Sequence, residues 1–401
     1  MRHIINFIKS YEHKHWHIAM LSLFHLLIAF ARGALFAYIP KFVESFVVNV
    51  GLVGLILSIP WFLNIFNDIF IGNLSKKTSK KRLIILSITM LFSVGIIYYV
   101  SSSLLAVIIG LLIYGFACDL YIIPTYAQLI QVSPKKNDSE SFAIFDSAGS
   151  LGWALGPMVG GFIIASYMPE NIFLFFSLMC LFTFIFVIAL IKIPDIKDKK
   201  AKETSLRVYF TNLVNIRKLT RQAKISLFLT SLLALWDSLL WMITPLYLFS
   251  LGTNPILIGI ILTVFALPYL LFQIPAGFWE DKNGKAIIIL PCMTVVGICF
   301  LGFSFFTAPL VLIILAFILS TASSILSPAL GGMLMDNTPS SRRDENASLQ
   351  TILSNFTIII GYIVGGIIAE YFGYTTVYLI FGLLIFAVGL IMHFLHDDVD
   401  A

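Results

Sequence analysis

The chain is divided near its middle by residues 192–224, which read KIPDIKDKKAKETSLRVYFTNLVNIRKLTRQAK. Ten of these residues are Lys or Arg and three are acidic, so the segment is strongly basic. It interrupts a chain that is almost continuously apolar on either side. The segment therefore predicts a hydrophilic linker between two apolar halves.

The two halves repeat one another at a fixed separation, which is 245 − 40 = 205 residues. The positions in this register are Pro40 and Pro245, Gly72 and Gly277, Pro134 and Pro339, Glu140 and Glu345, Gly156 and Gly361, and Gly160-Gly161 and Gly365-Gly366. Residues that recur at one separation without a gap indicate that a structural unit occurs twice.

The composition excludes a water-soluble protein of this size. Hydrophobic residues make up 59% of the chain and charged residues only 12%, whereas a soluble domain carries roughly 25% charged residues. The outer surface must therefore face lipid. The net charge of +5 does not indicate nucleic-acid binding, because the basic residues lie in short loops between apolar runs. The four cysteines lie in apolar runs without a CxxC pair, so they predict neither a disulfide framework nor a metal site.

A helix that crosses the bilayer needs about 20 mostly apolar residues. The sequence therefore predicts an all-α integral membrane protein with twelve transmembrane helices, arranged as two pseudo-symmetric six-helix bundles. We expect the helices at 18–45, 51–74, 83–101, 104–131, 139–168, 170–191, 224–251, 254–279, 285–305, 309–336, 343–370 and 372–395. The expected segments are an interfacial N-terminal segment at 1–17, a first bundle at 18–191, a basic linker at 192–223, a second bundle at 224–396 and an acidic tail at 397–401.

The basic residues in the loops and at the ends of the spans fall almost entirely on one side of the membrane. They are Arg2, Lys9, Lys14, Lys76, Lys77, Lys80, Lys81, Arg82, Lys135, Lys136, the ten of the linker, Lys282, Lys285, Arg342 and Arg343. Only Lys41 falls on the other side. Because Lys and Arg accumulate in cytoplasmic loops, we predict a multi-pass protein of the cell membrane with both termini in the cytoplasm. We expect it to be monomeric.

The loop between the predicted spans 8 and 9 carries the sharpest local motif, Gly277-Phe-Trp-Glu-Asp281-Lys282-Asn-Gly284-Lys285. It resembles the G-x-x-x-D-[RK]-x-G-[RK] loop of the major facilitator superfamily of secondary transporters, and the resemblance covers nearly the whole chain. That resemblance implies two six-helix halves that rock about a midplane site. We expect Gly277 to permit a close helix approach and Gly284 to form a tight turn. Asp281 would cap a helix or pair across the halves at the cytoplasmic gate.

Predicted span 5 contains Gly152-Trp-Ala-Leu-Gly156-Pro157-Met-Val-Gly160-Gly161. This run resembles the G-x-x-x-G-P-x-x-G-G motif described for antiporters of the same family. Glycines at helical spacing also let a neighbouring helix pack closely, and Pro157 frees a backbone carbonyl and bends the span. The motif therefore leaves an antiporter role and a packing role open.

Five charged residues are expected within the bilayer, namely Arg32, Asp68, Asp119, Asp146 and Asp237. Each costs at least about 2.5–3.5 kcal/mol to insert, so such residues line an aqueous path or pair with one another. Arg32, Asp119 and Asp237 fall near mid-membrane, and Arg32 and Asp237 are equivalent, because 237 − 32 = 205. We hypothesise that Asp119 or Asp237 carries a proton with Arg32 as its gated partner, since separation from a guanidinium favours a protonated carboxyl group. A static ion pair that only fixes helix register is the alternative.

The remaining polar residues of the spans are assigned to supporting roles. Asp68 and Asp146 lie nearer the ends of their spans, so we expect them at a gate or an interface rather than in coupling. Hydrogen bonds in the cavity are expected from Asn64, Asn67, Gln273 and Asn355.

These features predict a secondary transporter that works by alternating access. The leading version is proton-coupled export of a small, mostly apolar or drug-like compound. An aromatic cavity wall, the few fixed charges and the glycine motif of span 5 favour this version. The candidates for the wall, whose rings would equally suit helix packing or an interfacial belt, are Trp61, Tyr121, Tyr126, Trp153, Trp236, Trp241 and Tyr269. The alternatives are proton-coupled uptake of a nutrient, such as an organic anion that Arg32 would bind, and a lipid-handling transporter of the same fold.

The sequence contains no GxxxxGK[ST] phosphate loop, and it lacks the HExxH, GxSxG and DDxxD patterns of enzymes. We therefore expect no catalytic residue, no metal site and no cofactor, with a proton gradient as the driving force. The expected partners are a small-molecule substrate and the lipid bilayer, without nucleic acid.

Overall fold

The computed structural model describes residues 2–133, 138–190, 216, 219–283, 285–339 and 342–394. In these ranges the chain is helical without a strand, and 12 helical segments are long and apolar enough to cross a membrane. Large apolar side chains such as Phe62, Phe182 and Leu310 are exposed, as contact with lipid requires. The predicted all-α fold with twelve membrane spans is confirmed.

The helices have the following bounds. The first six spans are Arg2–Phe36 (span 1), Val50–Leu57 followed by Ile59–Lys77 (span 2), Lys80–Val100 (span 3), Leu104–Val132 (span 4), Asp138–Ser166 (span 5) and Asn171–Leu190 (span 6). The second six are Arg221–Ser250 (span 7), Pro255–Asn283 (span 8), Ala286–Phe305 (span 9), Pro309–Asp336 (span 10), Arg343–Phe372 (span 11) and Tyr374–Phe394 (span 12). The linker at 192–215 and the tail at 397–401 lie outside the described residues.

Span 1 differs from its predicted bounds at both ends. Its helix includes the N-terminal segment from Arg2 onward, and it ends at Phe36 rather than at residue 45. A separate helix, Ile39–Glu44, follows. The early end has a steric cause, because the ring of Pro40 would clash with the carbonyl group four residues earlier, which is that of Phe36.

The same spans pack together in each half. Spans 1 and 5, 2 and 4, 3 and 4, and 3 and 6 are in contact, as are their counterparts 7 and 11, 8 and 10, 9 and 10, and 9 and 12. The halves meet through spans 5 and 8 and through spans 2 and 11. We call the side at which span 6 ends and span 7 begins the linker side, and the opposite side the far side.

Four glycines bring the backbones of the two halves together near the far side. A Cβ atom added to any of them would collide with a carbonyl oxygen of the other half. The contacts pair Gly54 with Tyr362, Gly161 with Pro255, Gly259 with Pro157 and Gly366 with Val50. These contacts form two equivalent sets, because 259 − 54 and 366 − 161 both equal 205. The far side is therefore closed by spans that only glycine allows so near each other.

Two polar contacts join the halves at the same level. The backbone N–H of Val50 donates to Oε2 of Glu370 at 2.6 Å, and the hydroxyl of Tyr374 donates to Oε1 of Glu44 at 3.4 Å. Because a carboxylate at the first residue of a helix also satisfies an N–H group without an intrahelical partner, Glu370 stabilises the start of span 2 from the opposite half.

Candidate functional site

A cavity of about 270 Å³ lies between the two halves. Spans 1, 2 and 5 contribute one wall, and spans 7 and 8 contribute the other. The lining residues are Arg32, Phe36, Trp61, Ser150, Trp153, Asp237, Leu240, Trp241, Phe265, Ala266 and Tyr269. Arg32 and Asp237, which the sequence places at equivalent positions, thus face one shared cavity.

Two smaller cavities adjoin it. One, of about 40 Å³, shares Arg32, Phe36, Trp61 and Trp241 with the central cavity and is also lined by Asn64, Tyr114 and Cys118 among others. The second, of about 140 Å³, lies between spans 5 and 8 towards the linker side, and Ser150 and Tyr269 line both it and the central cavity. The central cavity therefore has a polar extension towards the linker side.

Arg32 is held by neutral groups. Its Nε donates to the hydroxyl of Tyr114 at 3.0 Å, and its Nη1 donates to that of Tyr121 at 3.4 Å. Its guanidinium carbon lies 5.2 Å from the centroid of Trp153 and 5.7 Å from those of both tyrosines. No carboxylate of the described chain lies within 4.0 Å of this guanidinium group. The predicted ion pair with Asp119 or Asp237 is absent in this conformation.

Asp119 is bound instead by amide groups of span 2. Its side chain is buried, and Nδ2 of Asn67 donates to its Oδ2 at 2.8 Å. With its amide oriented so that the nitrogen faces the carboxylate, Asn64 donates to the same oxygen at 2.6 Å and to Oδ1 at 3.0 Å. Asp119 lines none of the three cavities, so the predicted group of three central charges is reduced to Arg32 and Asp237 at the cavity wall.

Asp237 has no hydrogen-bond or ion-pair partner among the residues that the structure describes. It faces the central cavity from span 7, beside Tyr269 of span 8. A carboxylate in an apolar environment is stable only when it is protonated or meets water or a cation. Among the described residues that line the central cavity, Asp237 is thus the acid that is available to a proton, a cation or a polar group of a solute.

The other predicted polar residues lie outside the central cavity. Asp146 and Gln273 line the extension between spans 5 and 8, where Tyr126 donates to Oδ1 of Asp146 at 2.6 Å. Asp68 is half-buried on span 2, and Asn355 is buried on span 11, but neither lines any of the three cavities.

The loop motif between spans 8 and 9 is described only in part. Gly284 lies outside the described residues, as do the side chains of Asp281 and Lys282. Lys285 forms an ion pair with Asp336 at the end of span 10. A Cβ atom on Gly277 would meet no described atom within 4 Å, so the close helix approach predicted at this glycine does not occur in this conformation.

The glycines of span 5 face two different helices. Gly152, Gly156 and Gly160 lie against the backbone of span 1 within the first half, whereas Gly161 lies against span 8 of the second half. Pro157 is inside the continuous helix and its Cδ would lie 3.3 Å from a Cβ on Gly33. The motif therefore packs closely in this structure, and the antiporter role stays a prediction.

His25 and Tyr114 were missed by the sequence analysis. His25 is buried, and its Nδ1 lies 3.2 Å from the hydroxyl of Tyr121. The signal was present, because His25 precedes Arg32 by two helical turns and Tyr114 precedes Tyr121 by the same distance. A neutral histidine and a tyrosine carry no charge at neutral pH, so a search for charged residues within the spans does not find them.

Comparison with known proteins gives one consistent result. The model of the Major Facilitator Superfamily matches residues 21–236 and 226–400. The multidrug resistance protein MdtG of Klebsiella pneumoniae is 24% identical over 371 residues, which are 88% of this chain and 87% of that protein. An uncharacterized MFS-type transporter of Methanocaldococcus jannaschii is 25% identical over 333 residues, 80% of this chain and 83% of that protein.

Solved structures show the same fold. A mutant of the nucleoside transporter NupG superposes with a TM-score of 0.79 at 14% identity, over 94% of this chain and 99% of that chain. A POT family transporter in complex with a thioalcohol-conjugated peptide also superposes with a TM-score of 0.79, at 11% identity and over 96% of both chains. At these identities the likeness concerns the fold alone.

Proposed function

Because the chain belongs to the Major Facilitator Superfamily of membrane transporters, we propose that it exports a small, mostly apolar or drug-like compound in exchange for protons. The observation that carries this proposal is the position of Asp237. This acid faces the cavity between the halves and has no polar partner in the described chain. Such a group takes up a proton or binds a cation. Proton binding at Asp237 and cargo binding in the cavity therefore affect one another, because both occur at the same cavity wall.

The rest of the cavity suits an apolar cargo. Six of its lining residues carry aromatic rings: Phe36, Trp61, Trp153, Trp241, Phe265 and Tyr269. Ligand sites of this kind combine a mainly apolar wall with a few polar groups that fix orientation. The name of the relative MdtG, a multidrug resistance protein, supports the same class of cargo for this chain.

The two ends of the cavity support loading of the cargo from one side. Its polar extension between spans 5 and 8 points to the linker side, and the far side is closed. Basic residues collect on the linker side, and we therefore assign this side to the cytoplasm. We further propose that the chain lies in the plasma membrane and acts as a monomer. In this conformation the cavity would load from the cytoplasm, and rocking of the halves would expose it to the outside.

Arg32 favours a second candidate, the uptake of an organic anion. Its guanidinium faces the central cavity and has no carboxylate within 4.0 Å in the described chain. A carboxylate or phosphate of a cargo would fit such a group. This candidate predicts that Arg32→Gln abolishes binding of the cargo. Export coupled through Asp237 predicts instead that Asp237→Asn abolishes proton coupling.

Transport into proteoliposomes tests the proposal. Purified protein is reconstituted and offered a panel of apolar dyes, with and without an imposed pH gradient. We expect at least one dye to accumulate against its gradient only when the pH gradient is present. Asp237→Asn should reduce this accumulation by about tenfold or more, the effect of losing about 1.4 kcal/mol of interaction. It should leave dye-for-dye exchange intact, because exchange needs no net proton movement.

Asp68→Asn is the matched control, since Asp68 is another acid within a span and lines none of the three cavities. It should retain gradient-driven accumulation. If accumulation survives both Asp119→Asn and Asp237→Asn, neither acid carries the proton and the coupling proposal is wrong.

A further inference from the structure

A second set of polar contacts lies behind Arg32. His25 precedes Arg32 by 32 − 25 = 7 residues on span 1, and Tyr114 precedes Tyr121 by 121 − 114 = 7 residues on span 4. Seven residues are about two helical turns, so each pair lies on one face of its span. The hydroxyl of Tyr121 accepts from Nη1 of Arg32 at 3.4 Å and lies 3.2 Å from Nδ1 of His25.

The chemistry of the three groups favours one direction for these hydrogen bonds. A guanidinium group only donates, so the hydroxyl oxygen of Tyr121 accepts from Arg32. The hydroxyl hydrogen then has an acceptor at Nδ1 of His25 when the imidazole is neutral and carries its hydrogen on Nε2. A hydrogen on Nδ1 would instead donate to the hydroxyl oxygen of Tyr121, and the hydroxyl hydrogen would lose this acceptor.

Span 5 contacts one face of the His25 ring and its Nε2 edge. Phe145 stacks on it with a centroid distance of 4.2 Å and an interplanar angle of 10°. A Cβ atom at Gly149 would overlap the Nε2 edge of the ring, so glycine is needed where the ring is seated. Among the described residues, the hydrogen-bond partner of the ring is Tyr121 of span 4, whose hydroxyl also accepts from Arg32, and the span 5 residues in contact with the ring are Phe145 and Gly149.

We propose that His25 is a positioning residue, which holds Arg32 in the cavity wall by accepting the hydroxyl hydrogen of Tyr121. Without this acceptor the phenol is free to rotate its hydrogen towards Arg32, and the guanidinium loses one of its two hydrogen bonds. The inference deepens the proposed function, because it names what sets the charge at the cargo site. It concerns the position of a side chain, however, and can be tested without transport.

Trp153 reports where the guanidinium lies, since its ring centroid is 5.2 Å from the guanidinium carbon of Arg32. The full chain labelled with fluorotryptophan gives a fluorine NMR spectrum in which Trp153→Phe identifies the resonance of Trp153. Arg32→Gln then supplies the position of this resonance when the guanidinium is absent.

Two substitutions of His25 separate an acceptor role from a packing role. His25→Phe keeps a flat ring on Phe145 but removes the acceptor, whereas His25→Asn keeps an acceptor near Nδ1 but removes the stacked ring. We expect His25→Phe to move the Trp153 resonance at least half as far as Arg32→Gln does. His25→Asn should move it less than a quarter as far.

The opposite pattern, in which His25→Asn displaces the Trp153 resonance and His25→Phe leaves it unchanged, would show a packing role and overturn the proposal.

Tyr121→Phe removes the bridging hydroxyl and leaves His25 in place, so it keeps the test decisive if His25→Phe does not fold. It too should move the resonance at least half as far, and an unchanged resonance would overturn the proposal. His17→Phe, on the same helix, should have no effect, and a displacement as large as that of His25→Phe would equally count against it. Failure of the dye experiment would leave this result standing, because the resonance does not depend on transport.

Discussion

At the scale of single residues, the structure separates two ways of keeping a charge inside the membrane. Arg32 is stabilised by two phenol hydroxyls and three aromatic faces, which interact favourably with a weakly hydrated guanidinium. Asp119 is stabilised by amide donors from Asn67 and Asn64. Each charge is satisfied within the first half, so neither needs the other half to close around it.

The sequence was sufficient to locate these charges but not to pair them. The depth of Arg32 and Asp119 follows from their distance to the ends of their spans, which the hydropathy pattern gives. Their partners depend on how far span 1 is rotated and shifted against span 4, and no local pattern encodes that register. In the structure, Arg32 and Asp119 therefore form hydrogen bonds with neutral side chains rather than interacting with each other as predicted.

Asn67 provides a test of the way Asp119 is held. We expect Asn67→Ala to lower the free energy of unfolding in mixed micelles by about 1.5–3 kcal/mol, the usual worth of a hydrogen bond to a charged group. In an Asp119→Asn background the same substitution should cost about half as much, because hydrogen bonds between neutral groups are roughly half as strong. Equal costs in the two backgrounds would show that no charge-assisted bond joins these residues.

At the scale of elements, equivalent prolines have different consequences in the two halves. Pro40 ends the helix of span 1, whereas Pro245 lies within span 7. In span 7 a π-helical turn at Leu239–Ile243 precedes the proline, and the carbonyl oxygen of Leu239 accepts from the backbone N–H of Thr244 and, at 3.1 Å, from its Oγ1. The 205-residue register predicts the same element in both halves but not this local difference, because the π-helical turn before Pro245 has no counterpart among the helices before Pro40.

The glycine contacts of the far side give a prediction about helix packing. Gly54→Ala or Gly259→Ala would place a methyl group where the other half has a carbonyl oxygen. Overpacking of this kind costs about 1–3 kcal/mol. This cost corresponds to a decrease of about fivefold to more than a hundredfold in the equilibrium constant that favours the closed over the open far side. We expect a cysteine reporter introduced by Phe36→Cys, at the cavity wall, to react at least about fivefold faster with an impermeant thiol reagent given from the far side.

Gly72→Ala and Gly277→Ala are the matched controls for this experiment. These glycines lie on the same two spans near the linker side, are related by 277 − 72 = 205, and a Cβ atom at either would meet no described atom within 4 Å. They should leave the labelling rate unchanged. An equal increase in the controls would mean that the effect reports helix stiffness rather than contact between the halves.

At the scale of the whole molecule, the contacts between the halves are distributed unevenly. Backbone contacts and the hydrogen bonds of Glu370 and Tyr374 close the far side. Towards the linker side, spans 2 and 11 touch through an apolar cluster of Ile65, Ile69 and Ile352, whereas spans 5 and 8 enclose the polar extension of the cavity. The halves are therefore held together by backbone contacts on the far side, whereas the cavity extends towards the linker side, and the meaning of this asymmetry for transport depends on which compartment the linker side faces.

The orientation can be decided at the two ends of span 3. Ser102 lies exposed in the far-side turn before span 4, and Thr78 lies in the linker-side turn before span 3. Because Lys76, Lys77 and Lys80 flank Thr78 and basic loops stay in the cytoplasm, we expect Ser102→Cys to react with an impermeant maleimide in intact cells. Thr78→Cys should react only after the membrane is permeabilised.

The second half supplies an independent repeat of this measurement, since Thr307 is equivalent to Ser102, as 307 − 102 = 205 shows, and lies exposed in the turn between spans 9 and 10. Thr307→Cys should behave as Ser102→Cys does, because both turns lie on the far side. The parent chain gives the background, since its four cysteines lie within the spans. If Thr78→Cys were labelled in intact cells while Ser102→Cys and Thr307→Cys were not, the linker side would face outward. The assignment of the linker side to the cytoplasm, on which the export proposal relies, would then be wrong.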